Sequence, residues 1–253
     1  MNLVLLEPHE IEHDGDVRRV VLGDHRATHL REVLKVTLGA SVRVGIVGGA
    51  MGTATVRAIE AKTITLEIAE LSISPTPSRV DLLLCLPRPK VLARLLSPIA
   101  QLGARRLLLS GAWRVEKFYF DATILSPEEH RPLLLEGLAQ AKDTLVPELS
   151  VHRSFAWLVR TELGPPSADV LRLYADPGET RTLREAVAAW PERAIGRAIL
   201  AIGPEGGFTD RERRELEAAS FVRVGLGARV LRSDVATIAL LSLLHAALDE
   251  HAR

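Results

Sequence analysis

Ile199-Leu-Ala-Ile-Gly-Pro-Glu-Gly-Gly-Phe-Thr-Asp210 carries an apolar run into a glycine-rich bend and straight on into a helix start. The unbroken apolar run fits a strand covered on both faces, the mark of a parallel sheet inside an α/β layer structure. Thr209 and Glu212 have the spacing of a capping box, which opens a helix through Ala219. Between them, Gly203, Gly206 and Gly207 allow positive φ and close backbone approach. Open α/β sheets bind ligands at the C-terminal ends of their strands, where this bend lies. The same glycines would also serve a tight strand-to-helix connection, and glycine content alone leaves the two readings even. Neither the G-x-G-x-x-G fingerprint nor a Gly-Lys-Ser/Thr phosphate loop is present.

The pattern repeats on both sides. Short apolar runs at 80–86, 106–109, 170–175, 198–202 and 222–225 alternate with helical stretches. One helix, 90–102, stops at Gly103, and another begins with Ser126-Pro127 as cap and first residue. A second bend, Val224-Gly-Leu-Gly-Ala-Arg-Val-Leu-Arg-Ser-Asp234, leads into an almost uncharged helix over 235–248. That helix is expected to be buried on most sides, within its own domain or against a second subunit. Ser233 or Asp234 is expected to cap it. Arg232, at the mouth of a crevice formed by two such loops, is a fixed cation able to steady negative charge on a reacting group.

Upstream the pattern is different. Residues 41–47, 53–59 and 63–69 alternate apolar and polar side chains as half-buried strands do. Asp24 can cap a short helix whose buried stripe is Leu30, Val33 and Leu34, leaving Arg26, Arg31 and Lys35 to solvent. Ser72-Ile-Ser-Pro-Thr-Pro-Ser78 has linker composition, so the expected domains are 1–75 and 76–253.

With 47% hydrophobic and 25% charged residues in 253, the chain can bury a real core. Its single cysteine, Cys85, excludes an internal disulfide and fits a reducing compartment. No apolar stretch approaches the ~20 residues of a membrane span, and Glu7, Glu10 and Glu12 stand where a signal peptide would be basic; a cytoplasmic protein with no membrane partner is expected. Net charge is zero, but seven basic residues (Arg88, Lys90, Arg94, Arg105, Arg106, Arg114, Lys117) face one acidic residue, Glu116, between 86 and 117. Trp113, Phe118, Tyr119 and Phe120 interleave or follow, which favours a nucleic-acid groove over an ordinary solvated surface. His25 and His29 have metal-ligand spacing but no third partner, so no metal is expected.

The pair Ile202-Gly-Pro-Glu-Gly-Gly-Phe208 and Leu226-Gly-Ala-Arg-Val-Leu-Arg232 resembles the cofactor signature of the RsmE-type 16S ribosomal RNA uridine-N3 methyltransferases of the SPOUT superfamily. Leu86-Pro-Arg-Pro-Lys90, Leu102-Gly-Ala-Arg-Arg106, Trp113-Arg-Val-Glu-Lys117 and Gly137-Leu-Ala-Gln-Ala-Lys-Asp-Thr144 extend the likeness across the C-terminal part. His29-Leu-Arg-Glu-Val33 and Val44-Gly-Ile-Val-Gly-Gly49 extend it into the N-terminal part. The sequence departs from the family's pattern at Ser233-Asp234, where threonine or valine precedes glutamate, and at Lys142, where arginine is common in this branch.

The resemblance implies an N-terminal PUA-like β-barrel followed by a SPOUT α/β domain with a C-terminal trefoil knot, assembled as a homodimer. It implies S-adenosyl-L-methionine bound by Leu86, Ala175, Ile202, Gly203, Pro204, Glu205, Gly206, Gly207, Leu226, Gly227, Val230 and Leu231. Arg31, Lys35, Arg88, Lys90, Arg114 and Lys117 become the expected contacts to RNA, either 16S ribosomal RNA or the assembled small subunit. Arg232 is the expected stabiliser of charge on the uracil. Glu205 either accepts the N3 proton or ties down its own loop. Two rival readings are a SPOUT enzyme acting on another RNA or atom, such as a transfer-RNA ribose oxygen, and a non-catalytic RNA-binding assembly factor.

Overall fold

The computed structural model describes residues 2–190 and 195–251, which form two compact units. The first comprises residues up to Pro77 together with Leu134–Val146, and the second Ser78–Leu133 and the chain from Pro147 onward. Among the described residues no helix is long and apolar enough to cross a membrane.

The first unit is a mixed six-stranded sheet. Its elements are β1 (Val4–Leu6), β2 (Glu12–Asp14), β3 (Val17–Leu22), α1 (His25–Thr28), β4 (Ser41–Ile46), β5 (Met51–Ile59) and β6 (Ile64–Ile68). The order is β1-β4-β5-β6-β3-β2; β1 runs parallel to β4, the other pairs are antiparallel, and a bulge between Val56 and Ala58 bends β5. Leu6, Leu22, Leu30, Val44, Ile64 and Leu66 fill its core. The segment 134–146, far away in sequence, belongs to this unit because Thr144 plugs it. Its hydroxyl donates to the Gly49 carbonyl at 2.6 Å, and its own carbonyl accepts from the Gly48 amide at 2.8 Å. Gly45 must be glycine there, since a Cβ would stand 2.6 Å from the Thr144 methyl.

Asp24 caps α1 as expected, accepting from the Arg26 amide, but the buried stripe does not follow. The chain continues from α1 as a π-helical turn, His29–Val33, and this wider turn rotates Val33 and Leu34 out to solvent while Leu30 stays buried. Nor are all three expected cations free. Arg26 is locked by Glu10 at 2.5 Å and Asp24 at 2.8 Å, and Arg31 donates to the Ala61 carbonyl at 2.7 Å. Lys35 is exposed, with φ at 49°.

The second unit is a six-stranded parallel sheet between helices. Its elements are β7 (Val80–Cys85), α2 (Pro89–Leu102), β8 (Arg106–Ser110), the start of α3 (Pro127–Ala141), which from Leu134 on belongs to the first unit, β9 (Glu148–His152), α4 (Phe155–Trp157), β10 (Val170–Ala175), α5 (Leu183–Ala188), β11 (Arg197–Ile202), α6 (Asp210–Ala218), β12 (Val222–Val224) and α7 (Ser233–His251). The order β12-β10-β11-β7-β8-β9 puts β7 where the winding reverses, β8 and β9 on one side and β11, β10 and β12 on the other. The five runs named from sequence are all strands of this sheet; β9, more polar and at its edge, is an addition. Burial pushes the Cys85 thiol well above its usual range, so it is an inert core group.

Two of the seven basic residues of 86–117 are also structural. Arg105 and Arg106 both clamp the fully buried Asp81, at 2.8 and 2.9 Å. Breaking such a buried pair on one side leaves an uncompensated charge, so these arginines serve the fold.

Candidate active site

Three strand ends meet at one cleft. From β10 come Ala175, Asp176 and Pro177, from β11 residues 202–205 and 207 of the first bend, and from β12 residues 224–227 and 229–231 of the second. Ser233, Ala236 and Leu240 of α7 close it. The bends are fixed by backbone bonds: the Gly207 amide to the Pro204 carbonyl (2.7 Å), the Asp176 amide to the Val224 carbonyl (3.0 Å) and the Gly225 amide to the Arg181 carbonyl (2.9 Å). At Gly225 a Cβ would stand 1.9 Å from the Glu179 carbonyl oxygen, so no larger residue fits. Gly207 and Gly227 sit at φ 73° and 90°, where a side chain is strained. The Asp176 carboxylate, buried, is held by Arg213 at 2.9 Å and Arg223 at 3.6 Å.

Of the expected cofactor residues, Ala175, Ile202, Gly203, Pro204, Glu205, Gly207, Leu226, Gly227, Val230 and Leu231 line this cleft. Leu86 and Gly206 do not: Leu86 is buried at the end of β7, and Gly206 is exposed and faces the Arg114 side chain. Asp176 and Pro177 line it too, outside both quoted bends, as do Gly225 and Arg229, which belong to the second bend but not to the expected cofactor residues. Asp176-Pro177 carried a usable signal, a turn pair directly after a strand; Leu240 carried none beyond its place on an apolar helix.

A wider groove of ≈ 1820 Å³ shares Glu205, Val230, Leu231 and Ser233 with the cleft. Arg88, Lys90 and Arg94 at the start of α2, Phe118 and Tyr119, and Arg232 and Asp234 complete its lining. Two ion-pair groups stand in it. Glu205 faces Arg88 at 3.4 Å, not the amides of its own loop. Asp234 accepts from Arg232 at 2.7 Å and stands 3.5 Å from Arg94. The expected caps of α7 are displaced by one residue: the Arg232 carbonyl accepts the first helical bond, from Ala236, and Asp234 lies inside the first turn. Arg114 is exposed and spends its guanidinium on the Gly206 and Gly207 carbonyls, while Lys117 is exposed outside the groove. Among the described residues no group of three or more His, Cys, Asp or Glu is placed to hold a metal.

The model of the RNA methyltransferase domain matches residues 74–245. A relative from Treponema pallidum (strain Nichols), named ribosomal RNA small subunit methyltransferase E, is 30% identical over 249 residues, covering 94% of this chain and 88% of that protein. A second, from Borreliella burgdorferi, named ribosomal RNA small subunit methyltransferase E 1, is 23% identical and covers 94% of this chain and 95% of its own. In fold the chain is similar to the crystal structure of a ribosomal RNA small subunit methyltransferase E from Neisseria gonorrhoeae bound to S-adenosyl methionine, with TM-score 0.74, 19% identity and 97% of both chains covered. The strand-end cleft thus sits in a chain that belongs to the RNA methyltransferase family, together with relatives named ribosomal RNA small subunit methyltransferase E.

Proposed function

We propose that the protein methylates N3 of one uridine in 16S ribosomal RNA of the small subunit, in the cytoplasm, with S-adenosyl-L-methionine as methyl donor. The observation that carries this reading is the meeting of the two glycine bends in one cleft, which opens into a groove with four cations and two aromatic rings. The cleft's residues fit the donor: Gly207, Gly225 and Gly227 allow close backbone approach, and Val230, Leu231 and Leu240 offer an apolar wall for an adenine. The bound donor supplies an electrophilic sulfonium methyl.

The protein's own part follows from the acceptor. Uracil N3 lies on the Watson–Crick edge and carries a weakly acidic proton, so the base must be unpaired before it reacts. Phe118 and Tyr119 give the groove surfaces for a displaced base, while Arg88, Lys90, Lys117 and Lys35 are exposed cations for phosphates. Arg31 and Arg114 already donate to backbone carbonyls, each from Nη1 alone. As the proton leaves, charge spreads onto the uracil carbonyl oxygens, where Arg232 donates. Glu205 takes the proton directly or through water, a role supported by its exposure and by its pairing only with Arg88 among the described residues.

The same reading includes a PUA-like RNA-binding domain over 1–75, a SPOUT domain over 76–253 with a knotted C-terminus, and a homodimer. The Thr182 to Gly225 bridge, which lays the chain after β10 beside the chain after β12, supports the knot. Mass analysis of nucleosides from small-subunit RNA, before and after incubation with the protein and labelled donor, tests the whole. The label should appear in 3-methyluridine. Label in a ribose-methylated nucleoside, or none despite donor binding, would replace this reading with one of its rivals.

A further inference from the structure

Trp113 is 86% exposed, an unusual state for the side chain with the largest apolar surface. A loose loop does not explain it. The Trp113 amide donates to Glu212 Oε1 at 2.8 Å, and Glu212 is a buried carboxylate whose other oxygen accepts from the Thr209 amide and hydroxyl, both at 2.7 Å. The next residue, Arg114, is bonded to the Gly206 and Gly207 carbonyls. Residues 113 and 114 are thus tied at two points to the end of the glycine bend and the first turn of α6, with the indole left out to solvent.

Trp113 lies at a groove of ≈ 1040 Å³ distinct from the one beside Arg232, with Arg153 and Arg211 also lining it. Their side chains are 67% and 80% exposed. Arg211 and Glu215 continue into a second hollow, where Arg160 and Arg214 add two more guanidinium groups. Glu215 is shared between Arg160 at 3.0 Å and Arg211 at 3.4 Å, and Asp121 pairs with Arg153 at 3.2 Å. Arg214 has no carboxylate partner among the described residues. Five arginines, counting the buried Arg172, against the carboxylates of Glu212, Glu215 and Asp121 leave the track net positive, and Trp113 adds a flat aromatic face at one end.

We propose that Trp113 is a stacking platform for an unpaired base of the substrate RNA, and that the arginine track from Arg153 to Arg214 carries the phosphates of the strand beyond it. Every base presents a π face to such a platform, and guanidinium groups track the backbone without reading sequence. Single-stranded RNA is the partner that fits both features at once. This rests on the functional reading above and extends it to a second RNA contact, outside the groove that receives the reacting base.

The test uses the full-length protein with a fluorescein-labelled single-stranded fragment of small-subunit ribosomal RNA and a duplex of equal length. Trp113→Ala should bind the single strand about 5- to 100-fold more weakly, the effect of losing one stacked base. Its salt dependence should match the parent's, and Trp113→Phe should recover most of the affinity. The double variant Arg153→Gln, Arg211→Gln should instead flatten the salt slope by about 1.4, two single-strand phosphate contacts. Binding of the single strand by Trp113→Ala at parental affinity would overturn the platform alone. Equal losses on single strand and duplex would do the same, as would a loss seen only on assembled subunits, which would point to a protein partner. If the parent itself binds neither RNA, the functional reading falls with it.

Discussion

Arg232 is paired with Asp234 at 2.7 Å, yet its side chain is 69% exposed. An ion pair in that setting is worth only ~0–1 kcal/mol, so an approaching uracil can recruit the guanidinium at little cost. A donor that acts on developing charge is typically worth ~3–4 kcal/mol. Arg232→Ala should therefore keep donor affinity within a few-fold and lose about a hundred- to a thousandfold in turnover at saturating RNA. Lysine should rescue it only in part, because a point charge lacks the two parallel donors. A stable Arg232→Ala protein with near-parental turnover would remove the residue from catalysis. The glycines divide just as sharply. Gly227, at φ 90° in the cleft, should lose donor affinity on replacement by alanine, since the left-handed backbone costs a side chain ~1–2 kcal/mol. Gly206→Ala meets only the flexible Arg114 side chain, at 2.8 Å, and should bind the donor nearly as the parent does. Calorimetry on the pair checks this, and a reversed order would mean that the cleft has been drawn around the wrong glycine.

Among the elements, α2 and α7 meet at polar contacts near both ends of α2, Arg94 with Asp234 near its start and His245 at its close. His245 Nε2 lies 2.9 Å from the Gly103 carbonyl, where Gly103 ends α2 at φ 87°. Burial lowers the His245 pKa below its ordinary 6.5, so the folded protein holds the neutral ring, which donates to that carbonyl. The unfolded chain takes up the proton first as pH falls. This contribution is therefore complete above about pH 6.5 and is lost as pH drops through the folded-state value. His152, lowered likewise by burial, acts in the same sense. The melting temperature should decline between pH 7 and 5, and less steeply in His245→Gln, which keeps a donor without titrating; parallel curves would rule the contact out. The elements also show where sequence reading succeeds. The inner strands of the parallel sheet are covered on both faces, so each shows as an apolar run where the polar edge strand β9 does not, and the glycine bends follow from the runs they end. What escaped depends on distant partners. Asp81 takes up Arg105 and Arg106, Glu10 takes up Arg26, and Thr144 joins a unit to which no local pattern assigns it. The π-helical turn at 29–33 escaped because a stripe at helical spacing presumes the ordinary turn.

At the scale of the whole molecule, α7 presents two apolar faces. Thr237, Leu240, Leu241, Leu244, Ala247 and Leu248 are buried, and α7 packs on α2, α5 and β11. At roughly 3.6 residues per turn, Val235, Ile238, Leu243 and Ala246 fall on the opposite side, with the first three 48%, 41% and 49% exposed. A helix apolar all round is ordinarily covered all round, and a continuous exposed stripe of this kind marks an interaction surface. A second copy is the occupant that the proposed homodimer supplies, and an isologous two-fold contact would set the stripe against itself. Ile238→Glu with Leu243→Arg should then sediment as the 27.6 kDa chain where the parent sediments at twice that mass. The cleft is lined within one chain, but Arg232 and Asp234 sit at the very start of the helix that would be set free. Donor affinity should accordingly change little while turnover falls steeply. If the parent is monomeric at micromolar concentration and still methylates RNA, or if the double variant stays dimeric, the exposed face of α7 is not the subunit contact.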